Sequence, residues 1–245
     1  MIIRVMTWNI HAGIGMDGRR DLDRILGFIR RHRPDILAVQ EVDGRALGAA
    51  PSPFTLLQSQ IGGGTAVAET IIGADGAYGH MLLSRWPFED YALHDLSMKG
   101  REPRTAIFAR VRTPHGGLNV IAAHLGLKHH ERRMQAAKLK NLARNTEGPV
   151  TLLGDLNEWT WRGPVWKALS QVFPARTAHR TFPSRCPVLR LDEIFCRPAS
   201  LLGSSWRDTS AWQASDHLPV IAELNMHAAP TACTGRELVD ADFTP

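Results

Sequence analysis

Short apolar runs recur along the chain and are separated by polar or turn-forming residues. Runs of this length that are rich in β-branched residues are typical of strands. Strands are predicted at Ile2 to Asn9, Ile36 to Val39, Met81 to Leu83, Thr105 to Val111, Leu118 to Ala123, Val150 to Leu153, Leu191 to Cys196 and Pro219 to Leu224. Several of these runs are apolar at every position, so both faces of the sheet have to be covered.

Two segments have helical spacing. Apolar side chains from Leu22 to Ile29 recur every three to four residues, and Pro34 marks the end of that helix. A second helix is predicted from about Glu131 to Arg144. The stretch from Asp43 to Ala77 is rich in Gly, Pro and Ser and is interpreted as loop with uncertain strands.

Because strands that are apolar on both faces have to be covered on both sides, an open single-layer sheet is excluded. Two architectures remain, a mixed sheet flanked by helices or two sheets packed face to face with helices outside. We expect one domain over residues 1–226 and a poorly ordered tail over residues 227–245, where small residues and prolines are scattered.

Composition excludes several classes of protein. The chain has 245 residues, of which 44% are hydrophobic and 22% charged, which is unlike collagen, coiled coils or disordered chains. Its three cysteines are too few and too irregularly spaced for a disulfide framework or a zinc site, so we expect a cytoplasmic protein. No apolar run approaches the roughly 20 residues that cross a bilayer, and we expect no transmembrane segment and no secretory signal.

One segment carries as much charge as the whole chain. The net charge is +5, and six basic residues face a single acidic one between Lys128 and Arg144. Such a segment attracts phosphate-rich partners, either nucleic acid or anionic phospholipid headgroups. The alternative is an ordinary solvated helix surface.

Polar side chains able to hold a metal or a phosphate occur where the predicted strands end. If the last strand runs antiparallel to the others, its start lies at the same edge of the sheet as their ends. The residues concerned are Asn9, His11, Glu41, His124, Asp155, Asn157, Asp216 and His217. Carboxylates, imidazoles and amides without a nucleophilic Ser or Cys favour metal-assisted hydrolysis by water. Mg²⁺ prefers oxygen ligands, which Glu41 supplies with help from Asn9 or Asp216, and Mn²⁺ is expected to substitute for it.

The motifs at these positions form an ordered set. They are Thr7 to His11, Gln40-Glu41-Val42, Leu83 to Pro87, His124-Leu125, Gly154 to Asn157, Leu191 to Phe195 and Ser215 to Pro219. In this order the set resembles the endonuclease/exonuclease/phosphatase superfamily, over residues 1 to about 225. The resemblance implies a DNase I-like, four-layered α/β sandwich that hydrolyses phosphoesters. It defines the fold much better than the substrate.

The resemblance also implies which residues bind the metal and the phosphate. Glu41 resembles the principal Mg²⁺ ligand, Asn9 lies close to the metal or the scissile phosphate, and Asp216 is a neighbour of the metal. Asn157 resembles the amide that holds the phosphate. Arg104 or Arg101 matches a phosphate-contacting arginine, and Arg104 is favoured because it directly precedes a strand.

Catalytic roles are implied for a second group of residues. Asp155 resembles the residue that orients or deprotonates the attacking water, with Asn157 beside it. His217 resembles the histidine at the phosphate and Asp192 its buried carboxylate partner, which favours the protonated imidazole. His124 matches a second histidine, a candidate general acid for the leaving oxygen.

Two features near the motifs leave alternatives open. His11 occupies a position where apurinic endonucleases carry an acidic residue. Trp159 and Trp161 follow Asn157 closely, and they either stack on a base or sugar or pack in the core.

These observations lead to one main hypothesis and two alternatives. We expect a monomeric Mg²⁺-dependent hydrolase of phosphodiester bonds that uses direct water attack and is nuclease-like. The first alternative is a phospholipid or soluble phosphoester hydrolase. The second is a non-catalytic module that binds nucleic acid or lipid through the basic segment.

Overall fold

In the computed structural model, which describes residues 1–45, 51–160 and 162–226, twelve strands form two six-stranded sheets. The expected tail over residues 227–245 lies outside the described residues. The first sheet has the order β11-β12-β1-β2-β4-β3. Its strands are β1 (Ile2–Asn9), β2 (Ile36–Asp43), β3 (Gly64–Gly73), β4 (Gly76–Ser84), β11 (Leu202–Arg207) and β12 (Val220–Asn225).

The second sheet is also mixed, with the order β5-β6-β7-β8-β10-β9. Its strands are β5 (Phe88–Asp95), β6 (Thr105–Thr113), β7 (Gly116–His124), β8 (Val150–Asp155), β9 (Ala175–Arg176) and β10 (Asp192–Arg197). The helices are α1 (Leu22–His32), α2 (Pro53–Gln58), α3 (His129–Arg144) and α4 (Pro164–Leu169).

Alternation along the strands explains why the two sheets pack face to face. On β1, Ile3 and Val5 point to a core shared with residues of the second sheet such as Val120 and Leu153. Met6 and Trp8, one position out of phase, point to the other face and pack under α1. The second sheet covers one face of the first sheet and α1 covers the other, so apolar side chains on both faces are buried.

The outer face of the second sheet packs against α3 in the same way. Ile121 of β7 and Leu152 of β8 contact Ala136, Leu139 and Ala143 of the helix. The layers are therefore helix, sheet, sheet and helix, and the expectation of two mixed sheets packed face to face with helices outside is confirmed.

The direction of the last strand fixes which residues meet. β1 runs parallel to β2, whereas β12 pairs antiparallel with β1. The segment before β12 therefore lies at the edge where β1 and β2 end. In the second sheet β7 and β8 are parallel and β10 is antiparallel to β8, which pairs Asp192 at the start of β10 with Asp155 at the end of β8.

The interpretation of the stretch from Asp43 to Ala77 as loop was wrong in part. Its described residues include the short helix α2 and the ten-residue strand β3, which pairs antiparallel with β4. Alternation in β3 is weak and glycines bound it at both ends, so long-range pairing rather than local pattern fixes this strand.

The charge of α3 is distributed differently from what the sequence indicates. Arg132 is completely buried and Glu131 nearly so, while Arg133 and Lys138 are exposed.

No helix of the described residues is long and apolar enough to span a lipid bilayer.

Candidate active site

Side chains in or next to strands of both sheets line one cavity of about 310 Å³, which we call the strand-end cavity. Six of the nine site residues predicted from the sequence line it, namely Glu41, Arg104, His124, Asp155, Asn157 and His217. Asn9 and Asp192 lie directly behind the lining and bond to residues in it. The sheet topology therefore brings these eight residues together.

Asp155 is the centre of the site. Its carboxylate is almost completely buried, and Oδ2 accepts a hydrogen bond of 2.9 Å from Nδ2 of Asn9. The same oxygen lies 3.6 Å from Nε2 of His124 and 3.9 Å from Nε2 of His217. Burial raises the pKa of Asp155 to about 7, although the charge of His217 opposes this shift. A carboxylate with this pKa is suited to exchanging a proton near neutral pH.

The residue before Asp155 has to be glycine. A Cβ at Gly154 would collide with the carbonyl oxygen of Ala123 on the neighbouring strand β7. The close approach of β7 and β8 places His124 directly beside Asp155 in the strand register. Gly154 therefore brings the imidazole and the carboxylate together.

Two of the predicted site residues have a strained backbone. Glu41 has a φ of 56° and lies where the pairing of β2 with β4 shifts register. Asn157 has a φ of 49°, and its backbone N–H donates to Oδ1 of Asp155 at 2.9 Å. Residues other than glycine rarely adopt a positive φ, because this conformation costs free energy. β-Bulges redirect side chains next to functional sites. The bulge at Glu41 turns its carboxylate into the strand-end cavity.

His217 is held by a buried carboxylate. Its Nδ1 lies 2.8 Å from Oδ2 of Asp192, which also accepts a hydrogen bond of 2.6 Å from the hydroxyl of Thr181. Burial alone would lower the pKa of His217, but the charges of Asp192 and Asp155 outweigh it and raise the pKa to about 10. The imidazole is therefore protonated at neutral pH, and Nε2 carries a proton on the side of Asp155.

His124 has the opposite character. Burial lowers its pKa well below the usual value, and the positive charge of Arg104 adds to this effect. Arg104 is itself buried and forms an ion pair with Glu102. At neutral pH the ring of His124 is neutral, so one nitrogen is able to accept a hydrogen bond or a metal ion.

Two amides tie the site to its surroundings. Nδ2 of Asn9 donates to Oε1 of Glu41 at 2.8 Å as well as to Asp155, so this amide bridges the two carboxylates. Nδ2 of Asn157 donates to the carbonyl oxygen of Leu125 at 2.8 Å. The amide of Asn9 therefore links the two carboxylates, while the amide of Asn157 is fixed by the backbone.

Asp216 lies apart from the other predicted residues. It does not line the strand-end cavity, and its Oδ1 is 3.8 Å from Nδ1 of His11. The two side chains are partly exposed, which places them at the rim of the site. Asp216 directly precedes His217 in the sequence, but its side chain does not line the cavity that contains Asp155.

Two overlapping groups of side chains have the spacing of a metal site. Ligand atoms of Glu41, His124 and Asp155 lie within 4.8 Å of one another, and so do those of Asp155, Asp192 and His217. The second group already uses its atoms in the His217–Asp192 hydrogen bond, and protonated His217 is a poor ligand. The first group opens on the cavity through Glu41 and is the better candidate.

Sequence reasoning missed several residues of the cavity wall. Tyr78 and Glu102 line one side, and the ring of Phe182 packs 4.9 Å from that of His217. Thr181, which supports Asp192, was missed as well. Phe182 and Thr181 belong to a long segment without regular periodicity, so no pattern indicates that they face the site.

Comparison with known proteins places this arrangement in a family. The model of the endonuclease/exonuclease/phosphatase family matches residues 6–217. The chain belongs to this family. An uncharacterized Escherichia coli K12 protein, YbhP, is 30% identical over 244 residues, which cover 91% of this chain and 96% of YbhP. The family comprises phosphoesterases and nucleases that typically use a divalent metal.

Solved structures of the family share the fold. An endonuclease/exonuclease/phosphatase from Beutenbergia cavernae has a TM-score of 0.75 at 23% identity, covering 94% of this chain and 73% of that protein. The human Nocturnin catalytic domain with bound sulfate has a TM-score of 0.71 at 20% identity, covering 92% and 94%. The Danio rerio TDP2 complex with single-strand DNA product has a TM-score of 0.64 at 16% identity, covering 91% and 99%. These likenesses establish a DNase I-like fold.

Proposed function

We propose that this protein hydrolyses phosphodiester bonds by direct attack of water, in the manner of a nuclease, and that it requires Mg²⁺ or Mn²⁺. The observation that carries the proposal is the surroundings of Asp155. One buried carboxylate contacts an amide, a neutral imidazole and a protonated imidazole within 3.9 Å. These are the groups that proton transfer from water and stabilisation of phosphoryl charge require.

The ligand atoms of Glu41, His124 and Asp155 fit Mg²⁺ or a divalent cation of the first transition series. Glu41 and Asp155 offer carboxylate oxygens, and His124 offers a neutral imidazole nitrogen. Oxygen donors suit Mg²⁺, while a mixed oxygen and imidazole set suits Mn²⁺. When bound, the cation would neutralise charge on the phosphoryl oxygens.

The residues of the chain supply the remaining steps. Asp155 accepts a proton as a water molecule attacks phosphorus and the bond from phosphorus to the leaving oxygen breaks, and its raised pKa favours that role near pH 7. The proton then passes to the leaving oxygen or to bulk water, which restores the carboxylate. His217 donates a hydrogen bond from protonated Nε2 to the phosphoryl group, and Asp192 keeps Nδ1 protonated. Arg104 adds positive charge in the wall of the cavity. The neutral state of His124 favours hydrogen bonding or metal ligation over the role of general acid.

A covalent route is less suited to this site. None of the described residues that line the strand-end cavity is Ser, Thr or Cys. Tyr78 carries the cavity's phenolic hydroxyl, and burial raises its pKa, which makes it a weak nucleophile. Water is therefore the nucleophile that the site supports.

A second candidate function is hydrolysis of a phospholipid or a small phosphoester. It is favoured by apolar side chains at the mouth of the site, where Leu127 and Val188 are each more than half exposed. Leu127 lines the strand-end cavity, whereas Val188 lines the neighbouring one.

Hydrolysis of bis-p-nitrophenyl phosphate tests the main proposal. The purified protein is expected to hydrolyse it in Mg²⁺ or Mn²⁺ and to lose the activity in EDTA, and Asp155→Ala and His217→Ala are expected to be inactive. Full metal-dependent activity in both variants would refute the proposal. A panel of single- and double-stranded DNA, RNA, inositol phosphates and phospholipids, with Asp155→Ala as the control, separates the two candidate functions.

A further inference from the structure

Two further cavities continue from the strand-end cavity in a row. The first has a volume of about 280 Å³ and shares Trp159 and Leu189 with the strand-end cavity; we call it the Trp159 cavity. The second, of about 600 Å³, lies between α3 and α4 and shares Thr160 and Arg162 with the Trp159 cavity; we call it the α3–α4 groove. The three cavities are therefore neighbours, and a ligand longer than one phosphoester group can extend from one to the next.

The path becomes more positive with distance from the site. The α3–α4 groove is lined by Arg133, Lys140, Arg162 and Lys167, and none of its described lining residues is acidic. Among the described residues, Arg133 and Lys167 form no ion pair and both are exposed. Basic side chains without acidic partners in a concave surface attract a polyanion.

Trp159 stands between the first two cavities and is held in place from behind. The guanidinium of Arg132 lies 4.1 Å from the centre of the Trp159 ring, and Arg132 is completely buried. Arg132 is fixed in turn by a hydrogen bond of 2.6 Å to the carbonyl oxygen of Leu127. Trp159 nevertheless remains 45% exposed. One ring face is thus covered by a cation while a large part of the side chain stays open to the cavities, as in a platform for base stacking.

We propose that the three joined cavities form one track for single-stranded nucleic acid, with the scissile phosphate in the strand-end cavity, a base stacked on Trp159 and the following phosphates in the α3–α4 groove. The proposal rests on the proposed function, because it names the substrate of the same site. A single strand is required because stacking on Trp159 needs an unpaired base.

The lining of the groove distinguishes this substrate from a membrane lipid. Its apolar members are the small residues Ala137, Pro164 and Ala168, which leave no apolar channel for an acyl chain. A bilayer surface would contact convex apolar side chains rather than a concave groove between two helices. Nucleic acid is therefore the partner that the geometry favours.

Direct binding in EDTA tests the track without turnover. The probe is a fluorescein-labelled single-stranded DNA of about ten nucleotides, followed by anisotropy. The double variant Arg133→Glu and Lys167→Glu is expected to bind at least about tenfold more weakly and to lower the slope of log K against log salt by about 1.4. The matched control is Arg30→Glu with Arg33→Glu, which makes the same charge change in a separate basic cavity and is expected to leave binding near the wild type.

The aromatic platform is tested by a pair of variants. Trp159→Ala is expected to weaken binding of the same oligonucleotide about tenfold, and Trp159→Phe to restore most of it. If Trp159→Ala binds as well as the wild type, or if both double variants lose binding equally, the track is refuted. Binding of anionic phosphatidylglycerol vesicles through Arg133 and Lys167, with no binding of the oligonucleotide, would overturn it in favour of a lipid surface.

Hydrolysis of bis-p-nitrophenyl phosphate separates failure of the track from failure of the proposed function. This small substrate does not reach the groove, so the variant with Arg133→Glu and Lys167→Glu is expected to hydrolyse it as the wild type does. Hydrolysis without oligonucleotide binding would refute the track and leave the proposed function standing. Oligonucleotide binding by a protein that never hydrolyses either substrate would refute the proposed function instead.

Discussion

Two buried histidines contact the same carboxylate, yet their protonation differs. Nε2 of His217 lies 3.9 Å from Oδ2 of Asp155, and Nε2 of His124 lies 3.6 Å from it. Asp192 and Asp155 together raise the pKa of His217 to about 10 against the effect of burial. Burial and the charge of Arg104 lower the pKa of His124. Burial lowers the pKa of both rings, and only at His217 do the neighbouring carboxylates outweigh it.

This difference divides the work of the site between two sides. The His217 side has a carboxylate behind the ring, and in the proposed function its protonated imidazole is the cation that faces the phosphate. The His124 side has an arginine nearby and provides a neutral ring next to Glu41, 3.9 Å from Nε2 to Oε1. Both sides share Asp155, so a change in this residue affects both at once.

The largest effect is expected from Asp155→Asn, which removes the shared proton acceptor. We expect hydrolysis of bis-p-nitrophenyl phosphate to fall on the order of 10⁴-fold. Because the substitution also removes a buried carboxylate whose pKa burial raises, thermal unfolding should occur at the same or a higher temperature. Asp90→Asn, an exposed position on β5, is the control. Loss of activity only in proportion to loss of folded protein would assign Asp155 a structural role.

The second prediction concerns a substitution that changes the surroundings of His217 but not those of His124. Asp192→Asn removes the charge that keeps His217 protonated, and we expect kcat/KM to fall about 10² to 10³-fold. In the wild type, kcat/KM should fall at alkaline pH as His217 loses its proton near 10. Asp192→Asn lowers the pKa of His217, so the alkaline limb should move to lower pH.

The neighbouring carboxylate serves as the control for Asp192. Glu193 follows directly on β10, is also buried, and pairs with Arg176 instead of a histidine. Glu193→Gln should therefore leave the alkaline limb in place. An unchanged limb in Asp192→Asn would show that Asp192 does not set the charge of His217.

The third prediction addresses the His124 side through the metal. His124→Asn removes an imidazole ligand candidate, which Mn²⁺ accepts more readily than Mg²⁺ does. We expect activity with Mn²⁺ to fall about tenfold and activity with Mg²⁺ to fall less. Metal titrations of the rate, with His130→Asn on the exposed face of α3 as control, measure the two effects. An equal fall with both ions would place His124 outside the metal site.

Much of this arrangement could be predicted because it follows from strand ends. Asp155 ends a wholly buried strand, Asn157 follows it, and His217 precedes a strand that pairs antiparallel with β1. Residues at the ends of neighbouring strands meet at the edge of a sheet even when they are far apart in the sequence. The helix α1 and the end it reaches before Pro34 were likewise confirmed, because its apolar spacing is regular.

Other features depend on contacts that the sequence does not record. Arg132 belongs to a basic segment and looks like a solvated charge, yet it is buried beneath Trp159. Tyr78 reaches the cavity because β4 pairs with both β2 and β3. Phe182 reaches it from a segment with no period. Each position is decided by packing between distant segments, which local propensity does not encode.

The smallest effect concerns a third histidine, behind the His124 side. Burial, with a contribution from Arg104, lowers the pKa of His80 to about 3. The unfolded chain binds a proton at His80 near pH 6.5 while the folded protein does not, so the free energy of unfolding should decrease as pH falls below 6.5. For His80 alone the decrease between pH 7 and pH 5 is about 2 kcal/mol.

Urea unfolding at pH 7 and pH 5 checks this prediction. His80→Gln should reduce the loss of stability between the two pH values by about 2 kcal/mol, whereas exposed His130→Gln should not change it. His124 destabilises the fold at acidic pH in the same direction, so part of the loss should persist in the variant. If His80→Gln loses as much stability as the wild type, His80 takes up a proton in the folded protein. Its charge would then add to that of Arg104 near His124 and lower the pKa of His124 further.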